Sequence, residues 1–330
     1  MRSQTRPEAT SLLTCVGLSL LAFRFLHAAV PAPVAEPPPP PGETPDFSCH
    51  LEEDPEKRKD TDLPSDPVQR DVCLSSAFQV ALQLKEQGKS DKAPRLMRML
   101  AAEGYAPAQW QLGWMYESGE GVPVDLAEAA KWYREAAEQG YAPAQVFLGV
   151  AYELGQGVPT DYRQAVAWLR KAADQQLPLA EYRLGSMYWE GLGVPKDTNE
   201  AIRLWRMAAD HGSSEAQFIL GLHYVRGEGV ARDYTTAVKL LRQSAQQGNA
   251  AGQIALGSRY LQGQGVPRNQ VQAYKWFTLA ISGLHDPKDE NLALARRDRD
   301  AAARGMTAAE VVTATQLADK CQADKYKDCD

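Results

Sequence analysis

Residues 108–140 read AQWQLGWMYESGEGVPVDLAEAAKWYREAAEQG. The stretch sets Leu112-Gly113 three residues before Tyr116. A Gly-x-Gly-Val run follows at 119–122, then Asp125, then Ala136-Ala137 and a closing Gly140. The same order returns every 36 residues, with the Leu-Gly glycine at Gly149, Gly185, Gly221 and Gly257. The tyrosine returns at Tyr152, Tyr188, Tyr224 and Tyr260. A fixed period of this length predicts a solenoid of small stacked units, each touching only its neighbours. Such an array offers an extended surface to a partner and seldom carries a catalytic site.

Each unit predicts two helices. Helix A runs from Ala108 to Ser118, and Leu112 and Tyr116, four apart, share one buried stripe. Gly113 sits inside that helix, where glycine costs about 1 kcal/mol against alanine. Its recurrence therefore predicts a neighbouring helix too close for a Cβ. Gly119 and Gly121 end the helix with positive φ. Asp125 caps helix B, with Glu128 at the third position in a capping-box pattern. Asp161 with Gln164 and Asp197 with Glu200 repeat the pattern, and Asn269 with Gln272 softens it. Asp233 keeps the cap but has Thr236 at that position. The aspartate column is thus structural rather than metal-binding. Ala129, Trp132, Ala136 and Ala137 make one apolar face of helix B. Trp132, Trp168 and Trp276 are expected as core fillers, with Leu204 and Leu240 in the same column. The Gly-x-Gly loops follow helices, whereas a dinucleotide fingerprint follows a strand.

The fold class is accordingly all-α, with five full units over residues 106–284. Residues 72–105 read as a degenerate N-terminal capping unit. Ala93 and Gly104 stand 36 before Ala129 and Gly140, and Ala77 replaces the helix-A glycine. Residues 285–330 read as a C-terminal helical cap. It holds a charged helix over Asn291–Arg304 and a second helix over Thr307–Cys321 opened by a Thr307/Glu310 capping box. Val311, Val312, Thr315 and Leu317 are expected against the last unit.

Residues 1–29 have the order of a signal peptide: Arg2 and Arg6, an apolar run over Ala9–Phe23, then small Ala28 and Ala29. The run is short of the roughly 20 residues of a membrane-spanning helix. The expected location is periplasmic or secreted. Glu8 and Arg24 keep open the alternative of an uncleaved membrane tether facing the periplasm. Cys15 has a poor lipoprotein context. Residues 30–71 form a Pro-rich and acidic linker, with five prolines at 37–41 and dense charge over Glu52–Asp66.

Without Cys15, four cysteines stay: Cys49, Cys73, Cys321 and Cys329. An even count in an exported chain suggests disulfides, with three pairings open. The local pairing would join Cys49 with Cys73 and Cys321 with Cys329. The net charge of −6 argues against sequence-independent nucleic-acid binding, which needs a basic face. No Gly-x-Ser-x-Gly, His-Glu-x-x-His or Cys/His pair occurs within the repeats, and His211 and His223 have no evident partner. No catalytic residue, metal site or cofactor is expected.

The order Ala-x-x-x-Leu-Gly-x-x-Tyr-x-x-Gly-x-Gly-Val-x-x-Asp, then Ala-x-x-Trp and Ala-Ala-x-x-Gly, over Ala108–Gly140 resembles the Sel1-like repeat family, a relative of the tetratricopeptide repeats. Gln176 for the closing glycine, Asn269 for aspartate and Ser244 for alanine are departures. The resemblance implies a right-handed superhelix of helix pairs with helix A on the inner face. It implies a non-enzymatic protein-interaction scaffold, often at the bacterial envelope. Family members linked to β-lactams carry a cysteine pair in each repeat, and these five units carry none.

On an inner face lined by helix A, two variable columns would meet a partner protein or peptide. One is Trp114, Val150, Ser186, Leu222 and Ser258; the other is Glu117, Glu153, Trp189, Val225 and Leu261. The candidate binding residues are Trp114, Glu117, Glu153, Trp189, Leu222 and Val225. Exposed aromatics there suit a peptide laid in a groove, and the glutamates favour a basic or neutral segment. A third column of Trp110, Val146, Tyr182, Phe218 and Ile254 is expected to join adjacent units. The alternative is a glycan or peptidoglycan binder that stacks sugars on Trp114 and Trp189. A β-lactamase-like hydrolase is the remaining one.

Overall fold

The computed structural model describes residues 64–86, 92–326 and 329. The signal-type segment 1–29, the linker up to residue 63, Cys15 and Cys49 lie outside them. Fourteen helices and no strand occur among the described residues. The first pair is α1 (Pro67–Glu86) and α2 (Lys92–Ala102). Five A/B pairs follow: α3 (Ala106–Ser118) with α4 (Leu126–Glu138), α5 (Ala142–Leu154) with α6 (Tyr162–Ala173), α7 (Pro178–Glu190) with α8 (Thr198–Asp210), α9 (Ser214–Arg226) with α10 (Tyr234–Gln246), and α11 (Ala250–Gln262) with α12 (Gln270–Gly283). The chain continues into α13 (Glu290–Ala303) and α14 (Ala308–Ala323). Each helix A packs on its own helix B, and each helix B on the next helix A. Both closing helices pack on α12. The result is an all-α repeat superhelix.

The helix-A glycine has the packing reason its position predicts. A Cβ on Gly149 would lie 2.9 Å from Leu169 Cγ and 3.3 Å from the Ala165 carbonyl oxygen. Gly113 meets Tyr133, Gly185 meets Trp205, Gly221 meets Leu241 and Gly257 meets Phe277 at similar range. These five partners stand 36 apart on helix B and are all buried. They form the core column, which corrects the tryptophan assignment. Trp276 is fully buried, but Trp132 and Trp168, one residue before the core position, are only half-buried. Lys171 Nζ sits 3.8 Å over the Trp168 ring.

The A–B loop joins units. Gly157 holds φ +70°, and a Cβ there would lie 1.9 Å from the Leu126 carbonyl oxygen at the start of the preceding helix B. The aspartate caps form: Asp125 Oδ1 accepts from the backbone N–H of Ala127 and Glu128, and Asp161, Asp197 and Asp233 repeat the bonds. The reciprocal half of the capping box is absent from Glu128 and Glu200, whose carboxylates turn instead to Lys131 and Arg203. A complete box forms at Thr307 and Glu310. Gln176 adopts φ +61° where the closing glycine would stand. Ser244, buried in place of alanine, donates its hydroxyl to the Ser214 carbonyl at 2.7 Å.

The ends differ from their sequence reading in detail. Helix α1 begins at Pro67, so residues 67–71 of the assigned linker are helical, with Asp66 accepting from the Gln69 N–H at 2.9 Å. The buried face of α14 is Ala314, Ala318 and Cys321, because small side chains let it lie close on α12. Val312 is 55% exposed, and Val311, Thr315 and Leu317 are half-buried. Cys321 is disulfide-bonded to Cys329, and Lys275 of α12, itself buried, donates to the Cys329 carbonyl. Cys73 is also disulfide-bonded.

Candidate functional site

Two polar ladders run along the units and set the helix-A side chains in place. In the first, an arginine of helix B donates to the hydroxyl of the next unit's tyrosine: Arg134 to Tyr152, Arg170 to Tyr188, Arg206 to Tyr224 and Arg242 to Tyr260, at 2.6 to 3.1 Å. The backbone carbonyl of each of these tyrosines accepts from the helix-B cap residue of its own unit. In the second, Gln109, Gln145, Gln217 and Gln253 donate to the helix-B carbonyl eight residues earlier. The glutamine thirty residues later then donates to Gln109, Gln145 and Gln217. Unit three departs: Glu181, fully buried, accepts from His211 Nδ1 at 2.8 Å. Neither histidine lacks a partner, since His223 Nδ1 donates to the Glu228 carbonyl at 3.0 Å.

Against this frame the six candidate residues fall into two groups. Trp114, Trp189, Leu222 and Val225 are half-buried and lean on the cores beneath them. Trp114 sets its edge against Phe147 of the next unit at 6.1 Å between centroids. Trp189 packs on Trp205 at 5.6 Å and on His223 at 4.4 Å, with Lys196 Nζ 5.4 Å over its ring. Burial between these two indoles lowers the His223 pKa. Leu222 and Val225 rest on the core around Phe218, Val238 and Leu241. The third column behaves as a junction: Trp110 meets Phe147 of the next unit at 5.8 Å, and Val146, Phe218 and Ile254 are buried.

The two glutamates are not equivalent open charges. Glu153 accepts from Arg183 of the next unit at 3.1 Å, with both side chains largely buried. The position 36 before Arg183 is Phe147, so Glu117 has no such cation. Glu117 Oε2 instead accepts from the Tyr133 hydroxyl at 2.5 Å, and its Oε1 is buried without a hydrogen bond. Burial pushes its pKa up to about 7, the Tyr133 hydrogen bond working against it. Glu117 is thus partly protonated near neutrality, and Glu153 carries a compensated charge.

The residues missed from sequence are the arginine ladder, the core column and the Glu181–His211 pair. Arg134, Arg170, Arg206 and Arg242 do recur at 36 residues, and that was their signal. Among the described residues no cluster of three or more His, Cys, Asp or Glu could hold a metal ion. No described helix is long and apolar enough to cross a membrane.

The family model of the Sel1 repeat matches residues 106–141, 142–177, 178–213, 214–249 and 250–283. Among solved structures, the chain is similar to c5321, a protective antigen present in uropathogenic Escherichia coli strains and displaying an SLR fold. The identity is 29%, the TM-score 0.67, and the match covers 78% of this chain and 55% of that one. The chain thus spans about half the length of c5321. A Sel1 repeat protein from Oxalobacter formigenes is 30% identical, with a TM-score of 0.57 and cover of 68% and 96%. No curated protein matches the chain. Proteins of this kind generally act as protein-interaction scaffolds and are typically not enzymes. Five consecutive matches over more than half of the sequence, each on one of the helix pairs α3 to α12, make this chain a member of the Sel1 repeat family.

Proposed function

We propose that this protein is a non-enzymatic scaffold of the bacterial cell envelope that holds a segment of a partner protein along its helix-A groove. The observation that carries the reading is the variation within two otherwise regular columns. In the first column the fold accepts Ser186 and Ser258 where Trp114 and Leu222 stand, so packing does not require bulk in every unit, while Val150 of the same column is fully buried. Half-buried side chains on α3, α7 and α9 would each give a partner an apolar foothold. The electrostatics refine the partner. With Glu153 neutralised by Arg183 and Glu117 partly protonated, the groove suits an apolar segment with little charge.

The envelope location rests on the signal-type residues 1–29 together with the disulfides at Cys73 and Cys321–Cys329, which persist in oxidising compartments. In this reading residues 30–71 are mainly a spacer, and the pairs before and after the five repeats are caps. The test is affinity capture from envelope extracts with wild type and a Trp114→Ala/Trp189→Ala/Leu222→Ala variant of matched helicity. A protein recovered with wild type alone supports the groove. Equal recovery with both removes it.

A further inference from the structure

Three departures from the repeat converge at the junction of units two and three. Gln176 replaces a glycine and holds φ +61°. Glu181 and His211 replace the glutamine pair. Leu204 stands in the column where Trp132, Trp168 and Trp276 stand in other units. Unit four also has a leucine there, Leu240, but keeps Gly248 and the Gln217–Gln247 pair. Of the departing residues, Gln176 and Leu204 line a cavity of about 420 Å³ at the junction of units two and three, whereas Glu181 and His211 lie outside its lining. Its volume lies within the range of ligand pockets, about 300–1,000 Å³.

The cavity lies among α6, α7 and α8. Leu184, Leu204 and Met207 give it a narrow apolar floor, the two leucines almost fully buried, and Arg170, Asp174, Tyr188, Glu200 and Arg203 stand around it. Both guanidinium groups are held in place. Arg170 donates to the Tyr188 hydroxyl at 2.9 Å, and Arg203 donates to both Glu200 oxygens at 2.6 and 2.8 Å. A fixed guanidinium plane beside an apolar floor is a stacking surface for an aromatic ring. The neighbouring unit shows the same chemistry satisfied internally, with Lys171 over the ring of Trp168.

We propose that this cavity receives an aromatic side chain, tryptophan by preference, from a partner polypeptide. The partner supplies the indole that units one, two and five supply themselves. This second contact uses none of Trp114, Trp189 and Leu222, the side chains proposed for the groove.

The test is a titration of the full chain with N-acetyl-L-tryptophanamide, read from the methyl NMR signals of Leu184, Leu204 and Met207. Saturable shifts are expected with the tryptophan probe and not with N-acetyl-L-alaninamide. Leu204→Trp fills the space with the residue other units carry there, and is expected to weaken binding at least tenfold while retaining native helicity. Arg203→Ala leaves the floor intact and is expected to weaken binding roughly two- to fivefold. The Trp114→Ala/Trp189→Ala/Leu222→Ala variant is expected to bind the probe as wild type does, which separates this site from the groove. Absence of saturation in wild type, equal shifts with the alanine probe, or unchanged affinity in Leu204→Trp overturns the proposal.

Discussion

Tyr133 donates its hydroxyl to Glu117 across the first full unit, at 2.5 Å, and among the described residues no cation pairs with that carboxyl as Arg183 pairs with Glu153. The folded chain therefore holds a proton on Glu117 up to about pH 7, whereas an unshifted carboxyl releases it near 4.5. The stability tied to that proton is complete below the lower value and is lost as pH climbs through the window. Its full size is on the order of 3 kcal/mol. Glu117→Gln keeps an acceptor for Tyr133 and cannot ionise. Urea unfolding should show its advantage over wild type growing by about 1–3 kcal/mol between pH 4.5 and pH 8. An advantage independent of pH would contradict the buried-carboxyl account.

Gly149→Ala sets helix propensity against packing. Propensity favours alanine by about 1 kcal/mol. The added Cβ would lie 2.9 Å from Leu169 Cγ, and overpacking of this kind costs about 1–3 kcal/mol. The net expectation is destabilisation, relieved in part when Leu169 is also shortened to alanine. Strict additivity in that double-mutant cycle would mean the two positions do not press on each other.

Two loop glycines separate backbone strain from contact. Gly140 has φ +90° with nothing near its would-be Cβ, whereas Gly157 has φ +70° and the Leu126 carbonyl 1.9 Å away. Gly140→Ala is expected to cost about 1–2 kcal/mol. Gly157→Ala carries that strain and also pushes unit two off unit one, so its melting temperature should fall well below that of Gly140→Ala. Equal losses in calorimetry would leave the contact without effect.

The Glu153–Arg183 pair should be worse broken than removed. Arg183→Leu leaves a largely buried carboxylate uncompensated, a change that costs about 3–5 kcal/mol in buried pairs. Replacing both with leucine should recover much of the loss, since the next unit has Trp189 and Ile219 at the same two positions. A double variant less stable than Arg183→Leu would refute this.

Reduction of Cys321–Cys329 should act locally. The two cysteines are eight residues apart, and closing a loop of that size contributes about 2–3 kcal/mol in the chain-entropy model. In an array of nearest-neighbour contacts the loss should stay near α12 and α14. Hydrogen exchange after thiol treatment is expected to speed up there and not in α3 to α6. A uniform rise along the chain would point to a more cooperative molecule.

The period and the helix pairs were legible because identity at fixed spacing is a one-dimensional signal. Gly113 and its equivalents even carried their reason, a helix too close for a side chain. The core column was not legible, because Tyr133, Leu169, Trp205, Leu241 and Phe277 share bulk but not identity. The more uniform tryptophans beside them point one residue away, to a stripe that is buried at Leu204 and Trp276 but only half-buried at Trp132, Trp168 and Leu240. Glu128 and Glu200 matched the capping-box spacing, but Lys131 and Arg203, one turn on, compete for the same carboxylates. The character of Glu117 and Glu153 depended on residues 16 and 30 positions away, which a helix-face reading does not see. Gln176 and Leu204 were visible as exceptions, but only the fold brings them to one junction.

The rungs from Arg134, Arg170, Arg206 and Arg242 span the same 18 residues at the four junctions between the five repeats, so each of the first four units carries the donor that the next unit's tyrosine accepts. In this rung the joints are interchangeable, although other contacts, such as Glu153–Arg183, belong to one junction. A gene segment excised or duplicated between any two of them rejoins in phase, with every arginine still opposite a tyrosine. Lineages can therefore alter the reach of this scaffold by whole multiples of 36 residues through unequal recombination, with this rung already matched at the new joint.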